Sequence, residues 1–367
     1  MTLGDDRVAE PAEVLADLLA RMPDPASAAH ADALEAGLAS WLGSRHAIVV
    51  SSGTAALHTA LAVLGVGSGD EVLIPALSVV MSAAPITYTG ARPVFVDCTP
   101  SGEIDHDDLT AKRTAATRAV LPVHLWGRAT DTHWLADFAV RHGLHVIEDA
   151  CQAFGTIADG RRAGTFGEIG CFSMKDGKIL SCGEGGFLIA DDASHDSAAR
   201  AFRTHWQRPP RGQPAMARIG FNYRLAEPLA ALARCNLGHV DHLLAQRAHQ
   251  SALFTSLLAD TPGLEIPQNT GEGWNAHSPL ISLTLSRSRA FCVQLAASGV
   301  PNSVGTFGLI PASQQPAFSG YEPAACPNAA RLIDTTLAVI VTARDDDDRI
   351  RRYADIIDRE ARRWPAH

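Results

Sequence analysis

Lysine is almost absent from this chain. Of its 31 basic residues only three are lysines, Lys112, Lys175 and Lys178. Two of them share the small-residue stretch Ser173-Met-Lys-Asp-Gly-Lys178, which continues through Ile179-Leu-Ser-Cys to Gly183-Glu-Gly-Gly186. A guanidinium keeps its proton, whereas an amine that loses its proton is a nucleophile. Apolar, glycine-rich surroundings make that loss easier. Lys178, followed by Ile179 and Leu180, meets this condition and could form a Schiff base with an aldehyde. Lys175, beside the Asp176-Gly177 turn pair, reads as a solvated turn residue.

Two other groups follow apolar runs. After His46-Ala-Ile-Val-Val50 comes Ser51-Ser-Gly-Thr54, a small-residue turn opening a helical pattern. Such a turn presents free amides and a positive dipole end to a phosphate, and Thr54 adds a hydroxyl. An ordinary helix cap with a glycine turn would look similar. After Leu144-His-Val-Ile-Glu148 comes Asp149, with Gln152 three residues on. A carboxylate ending a central apolar strand is costly to bury without a partner. A protonated ring nitrogen would be such a partner; a helix-capping role is the alternative. Taken together, a phosphate turn, an acid for a ring nitrogen and a nucleophilic lysine describe a site for pyridoxal 5'-phosphate (PLP). The acid keeps the pyridine ring protonated, and the lysine holds the aldehyde and later moves a proton.

These residues need a sheet to bring them together. Strand patterns are read at 46–50, 71–74, 93–97, 118–123, 144–148, 169–173 and 186–190, with helical patterns at 11–22, 28–42 and in most gaps. Continuously apolar strands alternating with helices predict an α/β fold with a mostly parallel sheet covered on both faces. Ligands then bind beyond the carboxyl ends of the strands. From about 225 the texture changes: one long helix over Glu227–Leu258, a strand at 281–285, a helix near 288–298, a Pro/Gly-rich loop at 300–327 and a last helix. The division expected is a large domain over 1–240 and a smaller α+β domain over 241–367. The run Asp345–Asp348 suits the positive end of the last helix better than a metal.

The 367 residues carry 46% hydrophobic and 19% charged residues, enough for a real core. A net charge of −9 with no basic stretch argues against nucleic acid as a partner. No apolar run is long enough to span a membrane, and the acidic start MTLGDDRVAE lacks the apolar stretch of a signal peptide. Seven scattered cysteines without C-x-x-C spacing indicate neither a disulfide framework nor a zinc site. A cytoplasmic protein with reduced thiols and no metal is expected.

Six blocks between 46 and 227, in order, resemble the DegT/DnrJ/EryC1/StrS sugar aminotransferases, PLP enzymes of fold type I (aspartate aminotransferase-like). They are Val50-Ser-Ser-Gly-Thr-Ala-Ala-Leu57, Gly69-Asp-Glu-Val-Leu-Ile-Pro-Ala76, Pro122-Val-His-Leu-Trp-Gly127, Val146-Ile-Glu-Asp-Ala-Cys-Gln-Ala153, the Ser173–Lys178–Gly186 signature and Asn222-Tyr-Arg224. The resemblance implies that Lys178 binds the cofactor aldehyde and that Asp149 pairs with the pyridine nitrogen. Gln152 then lies at the ring hydroxyl, while Gly53, Thr54 and Ser173 bind the phosphate. It also implies a homodimer with active sites at the interface, where Asn222 reaches the neighbour's phosphate. Related sugar 3-dehydratases carry histidine at the Lys178 position, so the resemblance favours a transaminase.

Three departures stand out. Val79 occupies the place where the family stacks an aromatic ring on the cofactor. Phe154 replaces a histidine, and Ile310-Pro-Ala-Ser-Gln314 lacks the histidine of a late family block. The function expected is transfer of an amino group from glutamate or glutamine to a nucleotide-linked keto-sugar or a keto-cyclitol, in antibiotic or cell-surface sugar biosynthesis. The departures keep two alternatives open: different PLP chemistry, such as elimination or oxidation, and a non-catalytic regulatory role.

Overall fold

The computed structural model describes residues 29–266, 273–321 and 325–365, with positions 12, 13 and 16 before them. Apart from those three positions, the helix read over 11–22 lies outside the described residues.

The strands before residue 200 are β1 (His46–Val50), β2 (Glu71–Pro75), β3 (Arg92–Val96), β4 (Thr117–Val120), β5 (His145–Asp149), β6 (Ile157–Ala158), β7 (Arg161–Arg162), β8 (Ile169–Ser173) and β9 (Gly186–Ala190). Two of them, β6 and β7, form a small hairpin of their own, and the other seven make one sheet in the order β1-β9-β8-β5-β4-β2-β3. Only β9 runs antiparallel to its neighbours, so the sheet is mostly parallel, as its continuously apolar strands predict. The run read over 118–123 ends as a strand at Val120, because Pro122 has no N–H to continue the ladder.

Alternate side chains of one strand enter opposite layers. Ile48 and Val50 pack with Ala56 and Ala60 of the helix Gly53–Val63. Ala47 and Val49 pack with Leu34 and Leu38 of the helix Ala29–Leu42. This period of two buries both sheet faces and leaves the strand ends as the place for a ligand.

Beyond residue 225 the long helix read over Glu227–Leu258 proves to be two, Glu227–Gly238 and Val240–Leu258. Gly238 gives the helix little support, and His239 leaves it at φ −107°, ψ 11°. The antiparallel strands β10 (Leu264–Glu265), β11 (Leu280–Leu283) and β12 (Thr336–Ala338) form a second sheet. The last helix, Asp347–Arg363, packs on Val240–Leu258 and is capped by Asp346, which accepts from Arg349 N at 2.9 Å. Asp97, just after β3, accepts from the amides of Asn328 (3.1 Å) and Ala329 (2.9 Å) at the start of the helix Pro327–Thr335. This carboxylate meets a helix N-terminus and ties the second sheet's helices to the first sheet. Among the described residues, no helix is long and apolar enough to cross a membrane.

Candidate active site

Because β1 and β8 both run against β9, and β8 runs with β5, all three end on the same sheet edge. The residues following them line one pocket of about 270 Å³: Gly53 and Thr54 after β1, Asp149 and Gln152 at the end of β5, Ser173 and Lys178 at the end of β8. Asn222 is not among them. It is exposed and lines a separate cavity with Arg203 and Arg224.

The β1 end is shaped by Ser52. Its hydroxyl accepts from Ala55 N at 3.0 Å and its carbonyl from Ala56 N at 3.0 Å. The preceding amides, of Gly53 and Thr54, have no intrahelical partner and open the helix toward the pocket. A Cβ on Gly53 would lie 2.8 Å from Cys151 Sγ and 2.9 Å from the Ser173 Cβ, so only glycine lets this turn approach β5 and β8 so closely.

Asp149 is 4% exposed, with both carboxylate oxygens held. Ser82 Oγ donates to Oδ2 at 2.6 Å and Cys151 N to Oδ1 at 3.1 Å. Glu148 points to the other side of the strand and is fully buried. It accepts from His124 Nε2 (2.9 Å) and from the amides of Gly164 (2.8 Å), Phe166 (2.6 Å) and Gly167 (2.5 Å). Burial acts to raise its pKa, but these donors outweigh burial and hold it below the usual range. So the E-D pair divides the labour: Glu148 organises the surrounding loops, and Asp149 faces the pocket.

Gln152 Oε1 accepts from Trp126 N at 2.6 Å, which commits the amide oxygen and leaves its NH2 to donate. Trp126 adopts the left-handed region at φ 57°. It is braced by Trp274, whose indole donates to its carbonyl at 3.0 Å. Asn275 Nδ2 donates to the carbonyls of Gln152 (2.8 Å) and Phe154 (3.0 Å). A late segment, Trp274–His277, thus supports the site from outside the main sheet.

Lys178 lies partly screened in the pocket wall, while Lys175 is exposed at its rim. Burial pushes the pKa of Lys178 down; Cys151 and Asp149 oppose this, and Lys175 and Arg247 reinforce it. Burial pushes the Cys151 thiol well up.

Val79 lines the pocket, as the alignment of its block requires. Phe154 turns away: it is buried and stacks on Trp41 at 4.6 Å between ring centres. Its place is taken up by the core, so no polar group is lost from the pocket there. The Ile310–Gln314 block contains a short turn, Ala312–Gln314, that docks on the large sheet through Ala312 N to Ala76 O at 2.9 Å.

A mainly parallel sheet whose strand ends gather a lysine, a held acid and an open helix N-terminus has the build of the PLP enzymes of fold type I. The chain belongs to the DegT/DnrJ/EryC1/StrS aminotransferase family, which matches residues 25–358. It is 32% identical to the UDP-N-acetyl-3-dehydro-alpha-D-glucosamine 3-aminotransferase of Acidithiobacillus ferrooxidans, over 89% of this chain and 87% of that protein. It is 38% identical to a GDP-perosamine synthase of Caulobacter vibrioides over 226 residues, which is 61% of each chain. The crystal structure of DesV from S. venezuelae in complex with a ketimine intermediate superposes with a TM-score of 0.84 at 30% identity, covering 96% of this chain and 94% of that one. The PLP fold type I architecture expected from the sequence, with its mixed α/β build and mainly parallel sheet, is the one observed.

Proposed function

We propose that this protein is a PLP-dependent aminotransferase moving an amino group from glutamate or glutamine to a nucleotide-linked keto-sugar or a keto-cyclitol, in antibiotic or cell-surface sugar biosynthesis. The observation that carries this reading is the convergence of the Lys178 amine and the Ser82-held Asp149 carboxylate on one pocket beside the Gly53–Thr54 amides. The names of the relatives supply the substrate class. PLP, when bound, supplies an aldehyde and an electron-withdrawing ring. The donor set fits that cofactor. Gly53, Thr54 and Ser173 offer amides and hydroxyls to a phosphate. Asp149 offers its carboxylate to the ring nitrogen, and Gln152, its oxygen already taken, offers N–H to the ring oxygen. Lys178, its proton affinity reduced, can meet the aldehyde and later carry a proton on Nζ. Val79 lines the pocket and would give the cofactor ring an aliphatic neighbour, with less contact area than an aromatic side chain.

The site-bearing domain is taken as residues 1–240, with 241–367 as the smaller one, in a cytoplasmic homodimer whose seven cysteines stay reduced, as their unbridged state allows. Binding of glutamate or glutamine should convert the cofactor's visible absorbance to that of its amine form. A panel of nucleotide-linked keto-sugars and inososes, read by mass spectrometry, should then yield an aminated product. Bound PLP that neither donor converts would sink the transaminase reading and favour the alternative PLP chemistry or a regulatory role.

Asn222, exposed and outside its own chain's pocket, supports the dimeric reading. In that reading Asn222 completes the neighbour's phosphate site. Mixing the inactive variants Lys178→Ala and Asn222→Ala under subunit exchange should restore partial activity, since one site of the mixed dimer carries neither lesion. No recovery, with exchange shown independently, would place the role of Asn222 within its own chain.

A further inference from the structure

Arg247, in the helix Val240–Leu258, is 2% exposed, yet among the described residues none of its donors meets a carboxylate. Its Nη2 donates to Gly177 O at 3.1 Å, and its Nη1 to His277 O at 3.2 Å and to Val341 O. Gly177 immediately precedes Lys178, His277 precedes β11, and Val341 follows β12. The acid that acts on Arg247 is Asp345, whose carboxylate is already engaged by the Thr342 amide at 2.6 Å and by Arg349 at 3.3 Å. The charged and titratable groups facing Lys178 are Asp149 and Cys151 at the end of β5, Lys175 on its own loop, Arg247, and His277 across from it.

We propose that Arg247 is a positioning residue for Lys178. Its planar fork clasps the lysine loop, through Gly177 O, to the His277 and Val341 segments, and it brings a cation to that loop with no carboxylate among the described residues in contact to offset it. The inference rests on the reading of Lys178 as the lysine that meets PLP, and concerns the protein before PLP arrives. Two effects follow from the geometry. The loop cannot shift without breaking a charge-assisted bond to a buried guanidinium. A nearby cation also disfavours the protonated amine, so more of Lys178 is in the form that attacks an aldehyde. Burial lowers Arg247 itself to about 10, against the pull of Asp345, which leaves it charged at neutral pH. Burial, Lys178 and Arg247 push His277 well down, so its imidazole stays neutral and adds no competing charge.

The test uses the full chain freed of cofactor. Trinitrobenzenesulfonate labels amines in their neutral form, and with only three lysines each site is resolved by peptide mapping. Lys112 and Lys175 serve as internal references. In Arg247→Met the pH midpoint for labelling Lys178 should rise above the wild-type value, the direction expected when a neighbouring cation is removed. Hydrogen exchange over 175–183 should quicken by about tenfold or more, with β5 and β8 unchanged. Arg247→Lys keeps the charge without the fork, so its midpoint should stay at the wild-type value while exchange quickens. Wild-type midpoint and exchange in Arg247→Met would overturn the proposal. A raised midpoint in Arg247→Lys would overturn its electrostatic half. If Arg247→Met does not fold, the lysine variant decides, and wild-type exchange over 175–183 there would overturn the clasp. PLP that fails to protect Lys178 from the label would count against the reading of Lys178 and leave the role of Arg247 standing.

Discussion

Lys178→Ala should abolish the visible absorbance of the cofactor–lysine linkage and reduce amino transfer by at least the 10²–10⁴-fold, roughly, that a positioned proton carrier contributes. Lys175→Ala should retain both. The two lysines are three residues apart, but the turn that links Lys178 N to Lys175 O at 3.1 Å sends them to different surroundings. Lys175 is exposed, whereas Lys178 is screened among Asp149, Cys151 and Arg247. The screened amine has its proton affinity lowered by burial, which is what attack on an aldehyde near neutral pH requires. Borohydride reduction of the holoenzyme followed by peptide mapping checks this directly. Cofactor found on Lys175 would reverse the assignment.

Much of this site was legible because its residues follow apolar strands. A strand ending in Asp149, another in Ser173 and a third leading into Ser51–Thr54 leave little freedom once the sheet is parallel, since ligands bind where such strands end. The scarcity of lysine added a second, independent pointer to Lys178. The supporting residues were harder to read. Ser82 holds Asp149 from 67 positions away, and nothing in a serine on a helix identifies its partner. Asn275 and Trp274 brace the Gln152 turn from a segment with no motif of its own, over 120 residues downstream. Arg247 was one arginine among many; only its burial against three carbonyls sets it apart. Phe154 read as a departure at the pocket because spacing locates a residue along the chain but not the side to which it turns. The helix break at His239 was missed for a related reason. Apolar periodicity carried through the junction, and the one weak residue before it, Gly238, was insufficient to mark a stop.

Asp149→Asn should still bind a phosphate-bearing cofactor but slow the half-reaction with the amino donor by about a hundredfold or more. The substitution is nearly isosteric, and the local hydrogen bonds can accommodate it. The asparagine oxygen can take the Cys151 amide, and its NH2 can turn to Ser82 Oγ, which then accepts instead of donating. Neither Gly53 nor Ser173 is disturbed, so the phosphate side of the pocket keeps its donors. What disappears is the negative charge. A hydrogen bond to a charged partner is worth about 3 kcal/mol at the upper end, and that figure corresponds to a little over a hundredfold in rate. In a site where Asp149 is 4% exposed, water does little to replace the lost charge. The ring nitrogen would lose its proton, and with it the capacity to draw electrons from the bound donor. Stopped-flow absorbance after mixing with glutamate or glutamine separates this effect from binding: the loss should appear in the limiting rate, with the amount of bound cofactor changed little. Near wild-type conversion in Asp149→Asn would show that the acid serves only to cap the turn after β5, and the role assigned to Asp149 would fall.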